Sequence, residues 1–528
     1  MTSDRNARTS RLLALAADRG TLAGSLQAII ERDPDATAIV DRKGRHSFAS
    51  IAASSDSLAA SLQDMGVAPA DIVSWQLPNW IEAIVLHFAI LKAGAVSNPL
   101  NAIFRERELA FALDQTRAKL LFMPAALRGK DVSAMALDVV RGRETRLVCV
   151  GGAVDGAPDF EELVARPRAP RPLRRDAGAP SLLLYTSGTE SAPKGVLHSE
   201  RTLIFDSLTL GDAAAMNAQD VIFSPSPATH ISGILYGFYL PFLFGNTACI
   251  VDVWDTVAAA KLIEKERCSI GSGATPFLNG LLNDPAVAST DISSLRTYRC
   301  GGTDVPQALI RQANERGIVA YRTYGSSEHP TVTGYSGDPL EKNVTTDGRI
   351  HDHVELRVCA VDDPDRVLAP GSAGEIQTRG PDLFGGYFDG RLDGSAFGPG
   401  GWFRTGDLGR VDEDGFLTIT GRKKDIVIRK GENISAREVE TIILDHPSVD
   451  QAAVIGLPDE ERGERLCAVV QLRAGATLDL PELSRFFAEM RVSRQKHPEQ
   501  LEIIDAMPLT PSGKILKGVI RSMIAGRA

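Results

Sequence analysis

Residues 185–196 read Tyr185-Thr-Ser-Gly-Thr-Glu-Ser-Ala-Pro-Lys-Gly-Val196. The apolar run Leu182–Tyr185 leads straight into them and predicts a buried strand. Beyond it, small residues let the backbone wrap closely around phosphate oxygens, and the hydroxyls of Thr186, Ser187 and Thr189 add donors. Lys194 brings a positive charge to the same place. A strand opening into such a loop predicts a layered α/β nucleotide-binding domain. The order Pro193-Lys194-Gly195 separates the loop from a Walker loop, which needs Gly-Lys-Ser/Thr. Taken alone, the stretch also fits a Ser/Thr-rich surface turn, so its surroundings have to decide.

Upstream, Ser25–Arg32 and Phe48–Asp64 predict helices, and Thr37–Val40 and Ile72–Gln76 predict strands. This αβαβ rhythm belongs to a layered α/β domain. Arg166–Pro180, rich in Pro, Arg and Ala, predicts a connecting loop. Downstream, Val221–Phe223, Ala248–Val253 and Ser269–Gly271 predict further strands between helices. From Gly374 short strands and glycine turns take over: Gly374–Thr378, Trp402–Arg404 and Gly415–Thr420. A charged stretch follows over residues 421–435. A helix at Arg437–Leu444 and a strand at Gln451–Ile455 then begin a compact α+β unit. The expected fold is α/β: a large N-terminal layered domain, residues 1–423, and a small mobile α+β C-terminal domain, residues 424–528.

A chain of 528 residues exceeds what one core usually serves. Hydrophobic residues make up 43% and charged residues 24%, the profile of a globular protein in water. The formal net charge of −9 argues against nucleic-acid binding, which needs a basic surface. The six cysteines form no CxxC pair, so buried thiols in a reducing cytoplasm are expected. The apolar run Leu12–Ala17 is too short for a signal peptide. Ala83–Ala95 is interrupted by His87 and Lys92, and Ile231–Val251 by Gly233, Gly237, Pro241 and Gly245. Both read as buried core, so no integral membrane segment and a cytoplasmic location are expected.

The loop at 185–196 resembles the signature TSGTTG-x-PKG of the AMP-forming adenylating enzymes, which include acyl-CoA synthetases, aryl-acid ligases and beetle luciferases. Thr186, Ser187, Gly188, Thr189, Pro193, Lys194 and Gly195 match it; Glu190 and Ser191 depart from it. Four further motifs follow in the family's order, so the resemblance spans nearly the whole chain. Gly301-Gly302-Thr303 resembles the turn lining the adenine pocket. In Tyr324-Gly325-Ser-Ser327-Glu328, the tyrosine offers a face for adenine stacking and Ser327 a donor for the α-phosphate or the acid's carboxylate. The resemblance makes Glu328 the Mg²⁺ carboxylate, and hard oxygen ligands suit that ion. It makes Asp407, in Arg404-Thr-Gly-Asp407, the acceptor of the ribose hydroxyls. Arg422 becomes a second ribose or phosphate contact and Lys424 the hinge of the small domain. Lys514, in Pro511-Ser-Gly-Lys514, becomes the adenylation lysine; its ammonium suits the negative charge that gathers when a carboxylate attacks the α-phosphate. Pro227-Ala-Thr-His230-Ile231-Ser-Gly233 resembles the segment gating the acid pocket, with Tyr236, Cys300 and His329 as further wall residues. Lys430 and Gly431 are expected on the coenzyme A route. The expected catalytic set is thus Lys514, Glu328, Thr186 and His230.

The implied reaction takes a carboxylic acid, ATP and Mg²⁺ to an acyl-adenylate and pyrophosphate, then coenzyme A to the thioester and AMP. Residues 76–80 and 98–109 resemble the cyclohexanecarboxylate–CoA ligase branch, so alicyclic, medium-chain or aromatic acids are the expected substrates. A carrier-protein thiol is the alternative acceptor. A luciferase-like oxygenase and a non-catalytic adenylate or AMP sensor are the rival classes, and the presence of Lys514, Glu328 and Asp407 argues against the sensor. A homodimer is a further expectation. Three other patterns are read as structural or absent. His351-Asp-His353 lacks a third zinc ligand. Phe205-Asp-Ser-Leu208 resembles a phosphopantetheine site but has no carrier-sized segment around it. No GxSxG elbow is present.

Overall fold

The computed structural model describes residues 2–127, 129–186, 193–302, 305–429, 432–459, 463–510 and 513–525. Among these residues, two large sheets frame the first part of the molecule. One orders its six strands as Lys194–Ser199, Pro180–Thr186, Val96–Pro99, Ile72–Trp75, Leu120–Pro124 and Arg146–Val150. The other has seven: Val319–Thr323, Thr297–Gly301, Ile270–Gly273, Val221–Ser224, Thr247–Ile250, Thr37–Asp41 and Gly44–Ser47. Each is parallel apart from one antiparallel pair at an edge. Parallel strands covered on both faces read as continuous apolar runs. Leu120–Pro124 obeys this rule, with all five residues buried.

One apolar core joins both sheets to the helices Phe48–Asp64 and Ile81–Lys92 and to residues 231–244. Trp75 stacks on Phe238 with ring centroids 6.2 Å apart, and Phe88 meets Phe242 edge-on at 4.7 Å. The two apolar stretches that sequence placed in the core are there. The first is the helix Ile81–Lys92. The second divides into Ile231–Gly233, a π-helical turn Ile234–Tyr239, the helix Leu240–Phe244 and the strand Thr247–Ile250. Among the described residues no helix is long and apolar enough to cross a membrane. The apolar run at Leu12–Ala17 belongs to a helix, Thr2–Arg19, which Arg11 ties to Asp212 at 2.6 Å.

A third sheet is antiparallel: Glu355–Cys359, Gly374–Arg379, Trp402–Val411 and Phe397–Gly398, with Leu417–Arg422 paired to Trp402–Val411. Asp347 joins it to the seven-stranded sheet. Its Oδ1 accepts from Arg322 at 2.7 Å and its Oδ2 from the Ile419 amide at 2.8 Å, while Arg437 of the C-terminal part lies 4.0 Å away. The chain leaves this sheet through a single 3₁₀ turn, Lys423–Asp425. Beyond it, Glu432–Ser435, Ile426–Arg429, Gly463–Leu472 and Val449–Asp459 form an antiparallel sheet that Gln500–Ile503 extends in parallel. This sheet has its own core around Val439, Ile443, Leu466 and Phe487. The expected class, a large layered α/β part followed by a smaller α+β part, describes the molecule.

All six cysteines are buried and unpaired. His351 stacks on His353 at 5.7 Å, and His353 Nε2 lies 3.2 Å from Asp382 Oδ2. Among the described residues no group of three His, Cys, Asp or Glu could hold a metal ion. Phe205–Leu208 lies buried within the helix Glu200–Ala213, which no carrier serine would.

Candidate active site

In open α/β sheets, ligands settle in the crevice outside the carboxyl ends of the strands. Here that crevice is a cavity of about 940 Å³. Ser272, Gly301 and Thr323 border it from the ends of three adjacent strands of the seven-stranded sheet. Thr186 and Lys194 border it from the facing ends of an antiparallel pair, where they stand opposite each other in register. Asp407 and Arg422 come from the third sheet, again opposite each other. Lys514 enters from the C-terminal part.

The charged groups are already engaged with one another. Asp407 Oδ1 lies 2.8 Å from Arg422 Nε, and its Oδ2 accepts the Tyr324 hydroxyl at 2.7 Å. Asp407 in turn pushes the Arg422 guanidinium above its ordinary range. Glu328 Oε1 accepts the Tyr387 hydroxyl at 2.9 Å, and the Lys194 ammonium sits 5.3 Å over the Tyr387 ring. The Lys514 ammonium is held below its ordinary value, first by burial and then by the Arg422 charge; Asp407 and Glu328 act against that shift. Groups from distant parts of the chain therefore meet in one electrostatic field.

Lys514 is aimed by a tight turn. Its amide donates to Thr510 Oγ1 at 3.0 Å, and the Thr510 amide donates to the Lys514 carbonyl at 2.8 Å. Gly513 has φ +80° and lies against Pro276, so a Cβ there would come within 2.9 Å of the proline ring. His198 supports the segment across the cavity, with Nε2 2.7 Å from the Ser327 carbonyl. Burial pushes the His198 ring down to about 4, so it is neutral near pH 7 and Nε2–H donates. His230 is likewise pushed down to about 4, by burial first and the Lys514 charge second. Its Nδ1 lies 2.8 Å from Ser232 Oγ, which keeps the ring at the cavity edge.

Of the residues that sequence singled out, Thr186, Lys194, His230, Ile231, Gly302, Gly325, Ser327, Glu328, Asp407, Arg422, Lys424 and Lys514 border this cavity. Ser187, Gly188, Thr189, Glu190, Ser191, Thr303, Lys430 and Gly431 lie outside the described residues. Tyr324 stands behind the wall with its hydroxyl on Asp407. Four expected wall residues require correction, because none borders the cavity. Cys300 alternates with Arg299 and Gly301 along one strand, so it faces the opposite side, into an apolar core. His329 turns into the interior, with Nδ1 2.9 Å from Thr378 and Nε2 3.1 Å from Asp382. Gly233 packs on the Pro227 carbonyl, which a Cβ would approach to 2.0 Å. Tyr236 is buried in the π-helical turn.

Two residues of consequence were missed. Tyr387 follows a Gly-Gly pair and reaches the site through a lone bridge to Val196, a contact with no local signal in sequence. Arg299 was passed over in favour of its neighbour Cys300; strand alternation across the Gly301 turn is the signal that would have found it.

Comparison with known proteins gives the family. Residues 26–388 match the family model described as AMP-binding enzyme, and residues 438–514 match the AMP-binding enzyme C-terminal domain. A medium-chain fatty-acid–CoA ligase of Escherichia coli is 37% identical, over 96% of this chain and 91% of that one. An indoleacetate–CoA ligase of Aromatoleum aromaticum is 31% identical, over 93% and 96%. The crystal structure of ATP-bound MatB from Rhodopseudomonas palustris superposes with a TM-score of 0.85 at 27% identity, covering 95% of this chain and 98% of that one.

Proposed function

The chain belongs to the AMP-binding enzyme family, and from that premise we propose that it is an AMP-forming acid–CoA ligase. The observation that carries this reading is the meeting of Lys514 with Glu328, Asp407 and Arg422 at the cavity that Thr186 and Lys194 border.

ATP enters with its phosphates toward Thr186 and Lys194 and its ribose toward Asp407. For Asp407 to accept two ribose hydroxyls, the Tyr324 and Arg422 contacts yield or are shared, and two carboxylate oxygens have lone pairs enough for sharing. Glu328 offers one carboxylate at the phosphates, the sparse protein share that Mg²⁺ takes when phosphate oxygens and water complete its shell. An Mg²⁺ ion held by Glu328 would neutralise phosphate charge. The acid's carboxylate attacks the α-phosphate, Lys514 stabilises the gathering negative charge, and pyrophosphate leaves. The C-terminal part then turns about Lys424 and withdraws Lys514. Coenzyme A then reaches the acyl-adenylate, and its thiol displaces AMP. The acyl body lies against Ile231, Leu235 and Phe277, an apolar wall that discriminates neighbouring acids by only about 1–3 kcal/mol per methylene.

The test is pyrophosphate release from Mg·ATP across cyclohexanecarboxylate, benzoate, octanoate and a steroid side-chain acid, with and without coenzyme A. Release that coenzyme A accelerates, with thioester formed, is the expected result. Release indifferent to coenzyme A would move the acceptor to a carrier-protein thiol. Oxygen uptake with the acyl-adenylate would move the reading to an oxygenase.

A further inference from the structure

Arg299 is a charged side chain on the wall of the cavity. It is 9% exposed. Its Nη2 reaches the Pro330 carbonyl at a long 3.5 Å, and its Nε is buried with no acceptor. A buried guanidinium left this poor in partners is costly unless something else supplies acceptors. The groups around it differ from those around Lys514. Its charge acts on Tyr236, Asp206, Tyr321 and His351. The charges acting on Lys514 are instead those of Arg422, Asp407, Glu328 and Lys424. Arg299 pairs in register with Ser272 on the adjacent strand, and both border the cavity beside Pro330. The nearby carboxyl of Asp206 is fully buried; burial and the Asp382 charge push it up, while Thr331 and the Arg299 charge act against that shift.

We propose that Arg299, with Ser272 beside it, is a specificity determinant that receives a second oxygen acceptor on the acyl portion of the substrate. The acid therefore bears a carboxylate, hydroxyl or oxo group apart from the carboxylate that reacts. This rests on the ligase reading above and narrows its substrate class. A guanidinium presents paired donors that match such a group, and a site built around a polar partner strongly disfavours the analogue lacking it.

The experiment compares matched acids in the full-length protein: hexanoate with 6-hydroxyhexanoate and adipate, and benzoate with 4-hydroxybenzoate and terephthalate. Each is measured by calorimetric binding in the presence of a non-hydrolysable ATP analogue and by pyrophosphate release with Mg·ATP. Wild type, Arg299→Met and Arg299→Lys are compared, and binding of the ATP analogue alone checks that each variant keeps its fold. The wild type is expected to favour the acceptor-bearing member of a pair. Arg299→Met should weaken that member by about 10- to 100-fold, the range for a hydrogen bond to a charged group, while leaving the unsubstituted acid unchanged or improved. Arg299→Lys should recover part of the preference. An equal loss for both members of every pair would overturn the proposal and make Arg299 structural. So would a wild type that binds no acceptor-bearing acid. Selective binding without pyrophosphate release would uphold the role of Arg299 while counting against the ligase reading, so the two failures are distinct.

Discussion

Burial lowers the proton affinity of Lys514, and the neighbouring charges of Arg422 and Lys424 add to that effect. Its charge is useful only while the proton stays. Adenylation is therefore retained at low pH and lost as pH rises through the lowered value, so the alkaline limb of kcat/KM should fall below the ordinary lysine value of 10.5. Lys514→Ala should lose this limb together with about 10²–10³-fold of the adenylation rate. Pyrophosphate release followed across pH in both proteins checks the two claims at once, and near-normal release by the variant would remove Lys514 from the mechanism. Motif residues such as Lys514 and Asp407 could be placed at the cavity from sequence because the motifs that carry them resemble those of the family. Arg299 and Tyr387 could not, because their meaning depends on which face of a strand looks into the cavity and on which distant strand lies alongside. Cys300 shows the cost of reading position without face: one residue along the strand, and the side chain belongs to a different compartment.

The turn that carries Lys514 puts Gly513 in the left-handed region with Pro276 against it. Gly513→Ala would pay both the backbone strain of an L-residue there and a clash, so the turn should seat poorly against the large part. Adenylation should slow roughly tenfold, as expected for about 1–2 kcal/mol of left-handed strain. Thioester formation from supplied acyl-adenylate should stay close to wild type if, as proposed, Lys514 serves adenylation alone. Single-turnover measurements of each half-reaction separate the two. Most elements were legible from periodicity; the helix at Phe48–Asp64 and the strands at Ile72–Trp75 and Leu417–Arg422 stand within a residue or two of expectation. The strand at Thr247–Ile250 was legible too, as Ala248–Val253, but the division of residues 231–244 into helical pieces was not, because a continuous apolar run has no period to read. The π-helical turn there depends on tertiary packing against Trp75 and Ser224, which no local pattern encodes.

At the scale of the molecule, Asp347 gathers the seven-stranded sheet, the third sheet and the edge of the C-terminal part onto one carboxylate. Asp347→Ala would leave Arg322 buried without its partner, and breaking a buried pair in this way costs about 3–5 kcal/mol. A lowered midpoint in thermal or denaturant unfolding is the expected result; an unchanged midpoint would show that another acceptor takes over. The chain crosses from the third sheet to the last one through a single turn at Lys423–Asp425, the place where a rotation of the C-terminal part would be absorbed. Lys424→Pro fixes one of the two backbone angles needed for that rotation. It should adenylate at near the normal rate and form thioester at least about tenfold more slowly if the turn limits the second step. Stopped-flow measurement of each step decides it, and full-rate thioester formation would set the hinge aside. The burial of every cysteine bears on how such motion can be watched. A maleimide dye finds no ready target on the folded native surface, so one cysteine introduced on each side of the turn would carry a fluorophore pair against a dark background. The same silence means that an assay counting free thiols would register coenzyme A and not the enzyme.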